Sequence, residues 1–285
     1  MTKTLEKIAV LGAGSMGQGI AHVAALAGYG VALFDLDSEA LDRAQQRITK
    51  NLNGGVERGK IDIEKRDQAL NNIVLTSDLE IALIQPGMVI EAVPEDLDLK
   101  RSVLQRAESL VEPPTILASN TSSLPLTKLA EGLKRPEQLI GAHFFNPVHI
   151  MKLVEVVIHP QTSILCKERT LAFSRRLGKE PIVVKDSPGF ASSRLGVVLG
   201  LEAIRMVEEE VASPEDIDKA MELGYRHPMG PLRLTDLVGL DVRLSIAEVL
   251  HKELGGEQYQ PPKLLREKVA AGDLGQKSGK GFYSW

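Results

Sequence analysis

Three glycines and an aspartate carry the first chemistry that can be read from this chain. Gly12, Gly14 and Gly17 follow the apolar run Ile8-Ala9-Val10-Leu11 with the spacing G-x-G-x-x-G, and an apolar-periodic segment (Ile20, Val23, Ala24, Ala27) comes next. Between a strand and a helix such glycines read as a dinucleotide site. Gly12 allows the tight turn, Gly14 lets the backbone approach a pyrophosphate, and Gly17 lets the helix pack on the strand. The helix N-terminus at Ser15 and Met16 then offers N–H groups and a positive dipole end to phosphates. A second apolar run, Val31-Ala32-Leu33-Phe34, ends in Asp35, where a carboxylate would hold the adenosine ribose hydroxyls. That charge repels the extra phosphate of NADP, so the expected cofactor is NAD.

In an open α/β sheet, ligands bind outside the carboxyl ends of the strands. Three segments put polar groups there: Glu91-Ala92-Val93-Pro94-Glu95, Ser119-Asn120-Thr121-Ser122-Ser123 and His143-Phe144-Phe145-Asn146-Pro147. His143 is the candidate base, since an ordinary histidine titrates at about 6.5 and can exchange a proton with an alcohol. Glu155 lies on the following strand in the run Leu153-Val154-Glu155-Val156-Val157-Ile158, where an acid needs a partner. Bonded to one ring nitrogen, it would fix the tautomer, aim the other nitrogen at a substrate and stabilise the imidazolium. A plainer reading stays open: a satisfied histidine at a strand end, beside an ordinary strand charge. His22, His149, His159, His227 and His251 show no metal-ligand spacing, and Cys166 is the single cysteine. No metal and no intrachain disulfide are expected.

These groups need a scaffold, and 285 residues suffice for two domains. The 43% hydrophobic and 25% charged composition is that of a globular protein, and a net charge of -4 disfavours nucleic acid as a partner. The polar start Met1–Lys7 lacks a signal-peptide core, and no apolar run is long enough for a bilayer. A cytoplasmic protein without membrane contact is expected.

Apolar β-branched runs at 73–75, 88–93, 115–119, 139–144, 153–158 and 182–184 alternate with helical segments, the pattern of parallel βαβ units. The short connection Asn146-Pro147-Val148 points to an antiparallel addition at one edge. Residues 38–71 read as one or two helices, with a break at Asn53-Gly54-Gly55. Arg43, Arg47, Lys50, Arg58, Lys60, Lys65 and Arg66 lie there among Asp42, Glu57, Asp62 and Glu64. That mixture reads as a solvated hairpin, although a basic patch could serve an anionic ligand. Beyond Asp186 the apolar spacing becomes helical, with further helices expected over 214–223, 232–254 (broken at Gly239) and 261–271. The expected fold is α/β: an N-terminal Rossmann-type domain over 1–186, its mostly parallel sheet flanked by helices with a helical hairpin insertion. An all-α C-terminal domain over 187–285 follows, serving substrate binding and dimerisation. The strongly apolar helix at 190–207 points to a subunit interface, hence a homodimer.

The segments Ser119-Asn120-Thr121-Ser122-Ser123, His143-Phe144-Phe145-Asn146-Pro147 and Met151-Lys152-Leu153-Val154-Glu155-Val156 closely resemble the 3-hydroxyacyl-CoA dehydrogenase family. The likeness is greatest to its small bacterial 3-hydroxybutyryl-CoA dehydrogenases. It continues through Asp186-Ser187-Pro188-Gly189-Phe190, His227-Pro228-Met229-Gly230-Pro231 and Gly279-Lys280-Gly281-Phe282-Tyr283, so it spans the chain in order. The resemblance implies reversible, NAD-dependent oxidation of a (3S)-3-hydroxyacyl-CoA. It makes His143 the general base, oriented by Glu155, and has Ser122 bond the substrate's 3-oxygen. It places Glu95, Lys100, Asn146 and Lys277 around the nicotinamide half of the cofactor. The CoA tail would follow the helical hairpin near Asn51 and Arg58.

One departure bears on the substrate. After Pro188-Gly189-Phe190 the family usually reads Ile/Val-x-Asn-Arg, and the asparagine amide reaches the acyl oxygen. This chain reads Ala191-Ser192-Ser193-Arg194, which puts the shorter Ser193 in that role. An unreplaced contact of this kind costs on the order of 2–4 kcal/mol, so a pocket altered for a different acyl group is expected. A carboxylated chain such as hydroxyadipyl would need a cation, with Arg194 or Arg226 as candidates. Two rivals remain: an NAD-dependent dehydrogenase of a non-CoA hydroxy or sugar acid, and a non-catalytic NAD-binding regulatory protein. The paired phenylalanines and basic hairpin weigh against the first, and His143, Glu155 and Ser122 together against the second.

Overall fold

Apolar β-branched runs become strands where helices cover both faces of a sheet. The computed structural model, which describes residues 7–285, contains β1 (Lys7–Leu11), β2 (Gly30–Phe34), β3 (Ile73–Thr76), β4 (Met88–Glu91), β5 (Ile116–Ser119), β6 (Leu139–Phe144), β7 (Leu153–Ile158) and β8 (Glu180–Lys185). They form one sheet in the order β3-β2-β1-β4-β5-β6-β7-β8. Strands β1 to β6 are parallel, β7 is antiparallel to β6, and β8 runs parallel to β7. The antiparallel addition is therefore two strands deep. Around the sheet lie α1 (Ser15–Leu26), α2 (Ser38–Glu57), α3 (Ile63–Asn71), the single turn α4 (Leu79–Ala82), α5 (Leu97–Leu110), the single turn α6 (Leu126–Leu129) and α7 (Ile164–Arg176). This compact unit ends at Asp186. Its core joins Ile8, Val10, Ile20, Leu33, Ile90 and Phe144 across strands and helices.

The strand order decides where a ligand can enter. From β1 the chain moves one way to β2 and β3, then crosses back to β4 on the other side. A crevice opens at such a reversal. Gly12 follows β1 there, and Glu91 ends β4 beside Leu11.

The break expected at Asn53-Gly54-Gly55 is absent. Helix α2, capped by the Asp37 side chain, continues through these residues to Glu57. Gly55 is buried, and a Cβ there would stand 3.2 Å from Ile61, so this glycine serves close packing rather than a turn. The reversal falls later, at Gly59 with φ +64°, before Asp62 caps α3 through the Lys65 amide.

The second unit runs from Ser187 to Trp285. It holds α8 (Ser192–Glu208), α9 (Pro214–Lys219), α10 (Pro231–Val238), α11 (Leu240–Leu254) and α12 (Lys263–Ala270). The helix expected over 232–254 is interrupted at Gly239, whose φ is +103°. Val197, Leu201, Ile204, Leu232, Leu250 and Leu265 form its core. Two buried acids staple it. Asp218 accepts from the amides of Leu232 and Arg233 at 2.8 and 2.9 Å and from the Tyr283 hydroxyl at 2.7 Å. Asp236 accepts from the amides of Phe282 and Tyr283 and from the Trp285 indole at 2.8 to 2.9 Å.

In the first unit, His22 of α1 is buried against His149, with ring centroids 5.5 Å apart. Burial first, then the fields of His149 and Lys179, pull its pKa down to about 4. The unfolded chain takes up this proton near pH 6.5, whereas the folded protein refuses it until about pH 4. Stability held above pH 6.5 is thus lost as pH falls towards 4, by about 3 kcal/mol at roughly 1.4 kcal/mol per pKa unit. His22→Leu should flatten the fall in melting temperature between pH 6.5 and 4 relative to wild type, followed by calorimetry. A parallel fall in both proteins would contradict this account.

Candidate functional site

The glycine turn is shaped as a phosphate cradle. A Cβ on Gly12, whose φ is +105°, would stand 2.7 Å from the Ala92 carbonyl oxygen, and one on Gly17 would overlap the carbonyl of Gly12. Over Gly14 there is open space, with nothing within 4 Å of such an atom. No side chain caps the N-terminus of α1, so its first-turn amides at Ser15, Met16 and Gly17 face an anion without a competitor. Asp35 accepts from the Ala13 amide at 2.7 Å through one oxygen and from the Asp37 amide at 3.0 Å through the other. The carboxylate expected to hold the ribose thus braces the turn. These residues fit a dinucleotide.

Next to the cradle, the ends of β4 and β5 are joined through a buried charge network. Glu91 is wholly buried; its Oε1 lies 2.7 Å from the Lys100 Nζ and accepts from the Val93 amide at 2.8 Å. Its Oε2 accepts from the Ser119 hydroxyl at 2.6 Å. Lys100 also donates to the Val93 carbonyl at 3.0 Å and lies 3.3 Å from Glu95. Glu95 in turn gathers the following loop, accepting from the Thr121 hydroxyl at 2.6 Å and the amides of Ser122 and Ser123 at 2.9 and 3.1 Å. The Ser122 hydroxyl donates to the same oxygen over a longer 3.3 Å. Burial pushes the Glu91 carboxyl above its usual range, against the pull of Lys100 and Ser119. Burial also works to raise Glu95, but the Thr121 hydroxyl, the Lys100 ammonium and the Ser122 amide hold it below the usual range. Lys100, assigned by resemblance to the cofactor, is sealed inside at 1% exposure. It is held between Glu91 and Glu95.

His143 and Glu155 face each other across β6 and β7 in register. Their side chains lie on one face, and His143 Nδ1 is 2.7 Å from Glu155 Oε2. Both are buried. Two strand residues directly opposite share a face of the sheet, which is why a short connection suffices to bring them together. The Phe145 ring packs on His143 at a centroid distance of 4.5 Å. The rim is continuous, because the Asn120 amide donates to the Glu91 carbonyl at 2.9 Å and the Asn120 side chain accepts from the Phe144 amide at 3.0 Å.

Ser15, Asn51 and Asn146 line one recess of about 130 Å³, with Gln18, Val148 and His149. A wider recess of about 710 Å³ runs along α2 and includes Asn51, Lys50 and Arg58. The Arg58 guanidinium folds back over Gly54. The region is electropositive: burial first, then Lys179, Arg58 and Lys60, hold the His149 imidazole below its ordinary pKa. In the second unit, Ser193 occupies the first turn of α8, and Lys277 pairs with Asp241 at 2.7 Å. Arg194 is engaged by the Tyr259 hydroxyl at 2.7 Å, and Arg226 is exposed. Among the described residues no cluster of His, Cys, Asp and Glu could hold a metal, and no helix is long and apolar enough to cross a membrane.

Sequence reasoning passed over Glu91 and Asn120 as individual residues. The signal for Glu91 was available, since an acid closing an otherwise apolar strand needs a partner as much as Glu155 does.

The chain matches known proteins along its whole described length. Residues 7–187 match the family described as 3-hydroxyacyl-CoA dehydrogenase, NAD binding domain, and residues 189–285 the corresponding C-terminal domain. A probable 3-hydroxybutyryl-CoA dehydrogenase of Deinococcus radiodurans is 46% identical, covering 98% of this chain and 100% of that one. The 3-hydroxybutyryl-CoA dehydrogenase of Mycobacterium tuberculosis is 43% identical over 100% of both chains. The crystal structure of the (S)-3-hydroxybutyryl-CoA dehydrogenase of Ralstonia eutropha superposes with a TM-score of 0.95 at 39% identity, covering 99% of each.

Two outcomes follow from the cradle and the network. Asp35→Ala should weaken NADH binding more than tenfold and narrow its margin over NADPH, measured by fluorescence titration; an unchanged margin would remove Asp35 from cofactor choice. Glu91→Leu strands the Lys100 ammonium and should cost about 3–5 kcal/mol in urea unfolding. The double variant Glu91→Leu/Lys100→Met should recover most of that loss.

Proposed function

This chain belongs to the 3-hydroxyacyl-CoA dehydrogenase family, and we propose that it catalyses the reversible oxidation of a (3S)-3-hydroxyacyl-CoA to the 3-ketoacyl-CoA. The observation that carries this reading is the buried His143–Glu155 pair at 2.7 Å, at the rim that also bears Ser122. With Nδ1 bonded to the carboxylate, the other ring nitrogen takes the proton of the C3 hydroxyl as the carbonyl forms. The Glu155 charge stabilises the resulting imidazolium where water cannot. NAD, when bound, supplies the acceptor for the hydride that leaves C3. Ser122 aligns the substrate oxygen: its contact to Glu95 is long at 3.3 Å, so the hydroxyl can turn to the substrate, while its amide stays held at 2.9 Å. Glu95, Lys100, Asn146 and Lys277 serve the nicotinamide half.

The electropositive recesses at Asn51 and Arg58 support CoA, whose phosphates need cations, over a hydroxy acid without it. Ser193 serves the acyl group. Exposed Leu195, Leu234, Leu237, Val238 and Val242 on α8, α10 and α11 support a homodimer through the helical unit, since such apolar residues gain by burial against a second copy. The reading suits a cytoplasmic enzyme of fatty-acid metabolism.

Purified protein mixed with acetoacetyl-CoA should consume NADH absorbance and spare NADPH. His143→Ala should lower turnover by about 10²–10⁴-fold with NADH affinity nearly intact, and Glu155→Gln should also fail badly despite its matching shape. NADH binding without turnover in the wild type would overturn the reading, as would normal turnover in His143→Ala.

A further inference from the structure

The second unit contains a buried cation that nothing in it answers. Arg243, on α11, is 5% exposed. Its Nε is shut from solvent without a hydrogen-bond partner. Burial alone lowers its pKa, to about 10, with no carboxylate acting against the shift. Asp218 and Asp236, also buried in this unit, are by contrast saturated with donors. A guanidinium buried with no carboxylate beside it is costly. It is a group waiting for an anion.

The direction of the side chain is fixed by two glycines. A Cβ on Gly200 would stand 3.2 Å from Nε and 3.3 Å from Cζ, and one on Gly196 would stand 3.6 Å from Nη1. The guanidinium therefore runs along α8 from Gly200 towards Gly196, and its tip points to the helix's first turn. Ser193 lies there. Spacings of three and four put Ser193, Gly196 and Gly200 on one helix face. These three positions carry small residues, where an asparagine at 193 would add bulk and a competing amide.

We propose that Arg243 is an anion subsite for the far end of the acyl group, so that the preferred substrate is a 3-hydroxyacyl-CoA whose acyl chain ends in a carboxylate. This rests on the proposed function, in which Ser193 serves the acyl group. The planar guanidinium suits a carboxylate held through two parallel bonds. A neutral acyl chain would leave the buried charge unanswered, so the site discriminates by that penalty as well as by attraction. Arg194, tied to Tyr259, and exposed Arg226 are less suited to the task.

The test compares 3-oxoadipyl-CoA with acetoacetyl-CoA in the wild type, Arg243→Met, Arg243→Lys and Ser193→Asn. The wild type should favour the carboxylated ester at least tenfold in kcat/KM. Arg243→Met should reverse that preference by about a hundredfold, mainly through KM, and Arg243→Lys should keep part of it. Ser193→Asn should move the preference towards acetoacetyl-CoA. An unchanged or higher melting temperature of Arg243→Met would show that it folds. A wild type that favours acetoacetyl-CoA, or equal losses on both esters, overturns the subsite. So does an Arg243→Met that dissociates the oligomer without changing selectivity, which would give the guanidinium to a carboxylate of a second copy. Calorimetric binding of 3-oxoadipyl-CoA separates this inference from the reading beneath it. Turnover of neither ester, with binding that still weakens in Arg243→Met, would sink the dehydrogenase reading and leave the subsite standing; binding insensitive to Arg243 would sink the subsite.

Discussion

Two carboxylates deprived of water govern the first unit: Glu91 and Glu155, each wholly buried in a strand. Each is tolerable there because one partner meets it at 2.7 Å, Lys100 for Glu91 and His143 for Glu155. The difference in partner sets the difference in role. A lysine can only donate, so the first pair is an anchor. An imidazole has a second ring nitrogen beyond the one bonded to its carboxylate, and the proposed reaction uses that nitrogen. Burial supplies the same constraint to both, and the identity of the cation decides what it becomes.

The anchor spreads its effect along the carboxyl ends of the strands. Glu91 fixes Ser119 and Lys100, Lys100 steadies Glu95, and Glu95 draws in the amides of Ser122 and Ser123. Asn120 carries the linkage on to Phe144, next to His143. On the opposite side Gly12 presses against the Ala92 carbonyl. The glycine turn, the Ser122 loop and the end of β6 at His143 thus hang from one hydrogen-bonded rim, which leaves the side chains on it little freedom to lose.

The helical unit solves the same problem in another way. Asp218 and Asp236 take backbone amides and aromatic donors, so they satisfy chain ends and fasten the terminal segment. Arg243 breaks this pattern, as a buried charge set against glycines. Buried polar groups in native folds are nearly always partnered, so such a group calls for an explanation.

Much of this was legible in the residues. Strand and helix alternation, the glycine turn, Asp35 and the pairing of His143 with Glu155 rest on local period, local sterics and a short connection, all of which a sequence displays. The glycines at 54 and 55 misled, because a glycine that permits a turn is indistinguishable in sequence from one that permits close packing against Ile61. Glu91 with Lys100, and Arg243 with no acid at all, could not be read this way. Which charge meets which depends on strand order and helix packing, and those are settled by burying apolar surface across the whole unit. The sequence by itself determined the elements, the glycine turn and the pairing of His143 with Glu155; the tertiary structure alone decided which other buried charges are answered, because a charge's partner is chosen by distance in space and not by distance along the chain.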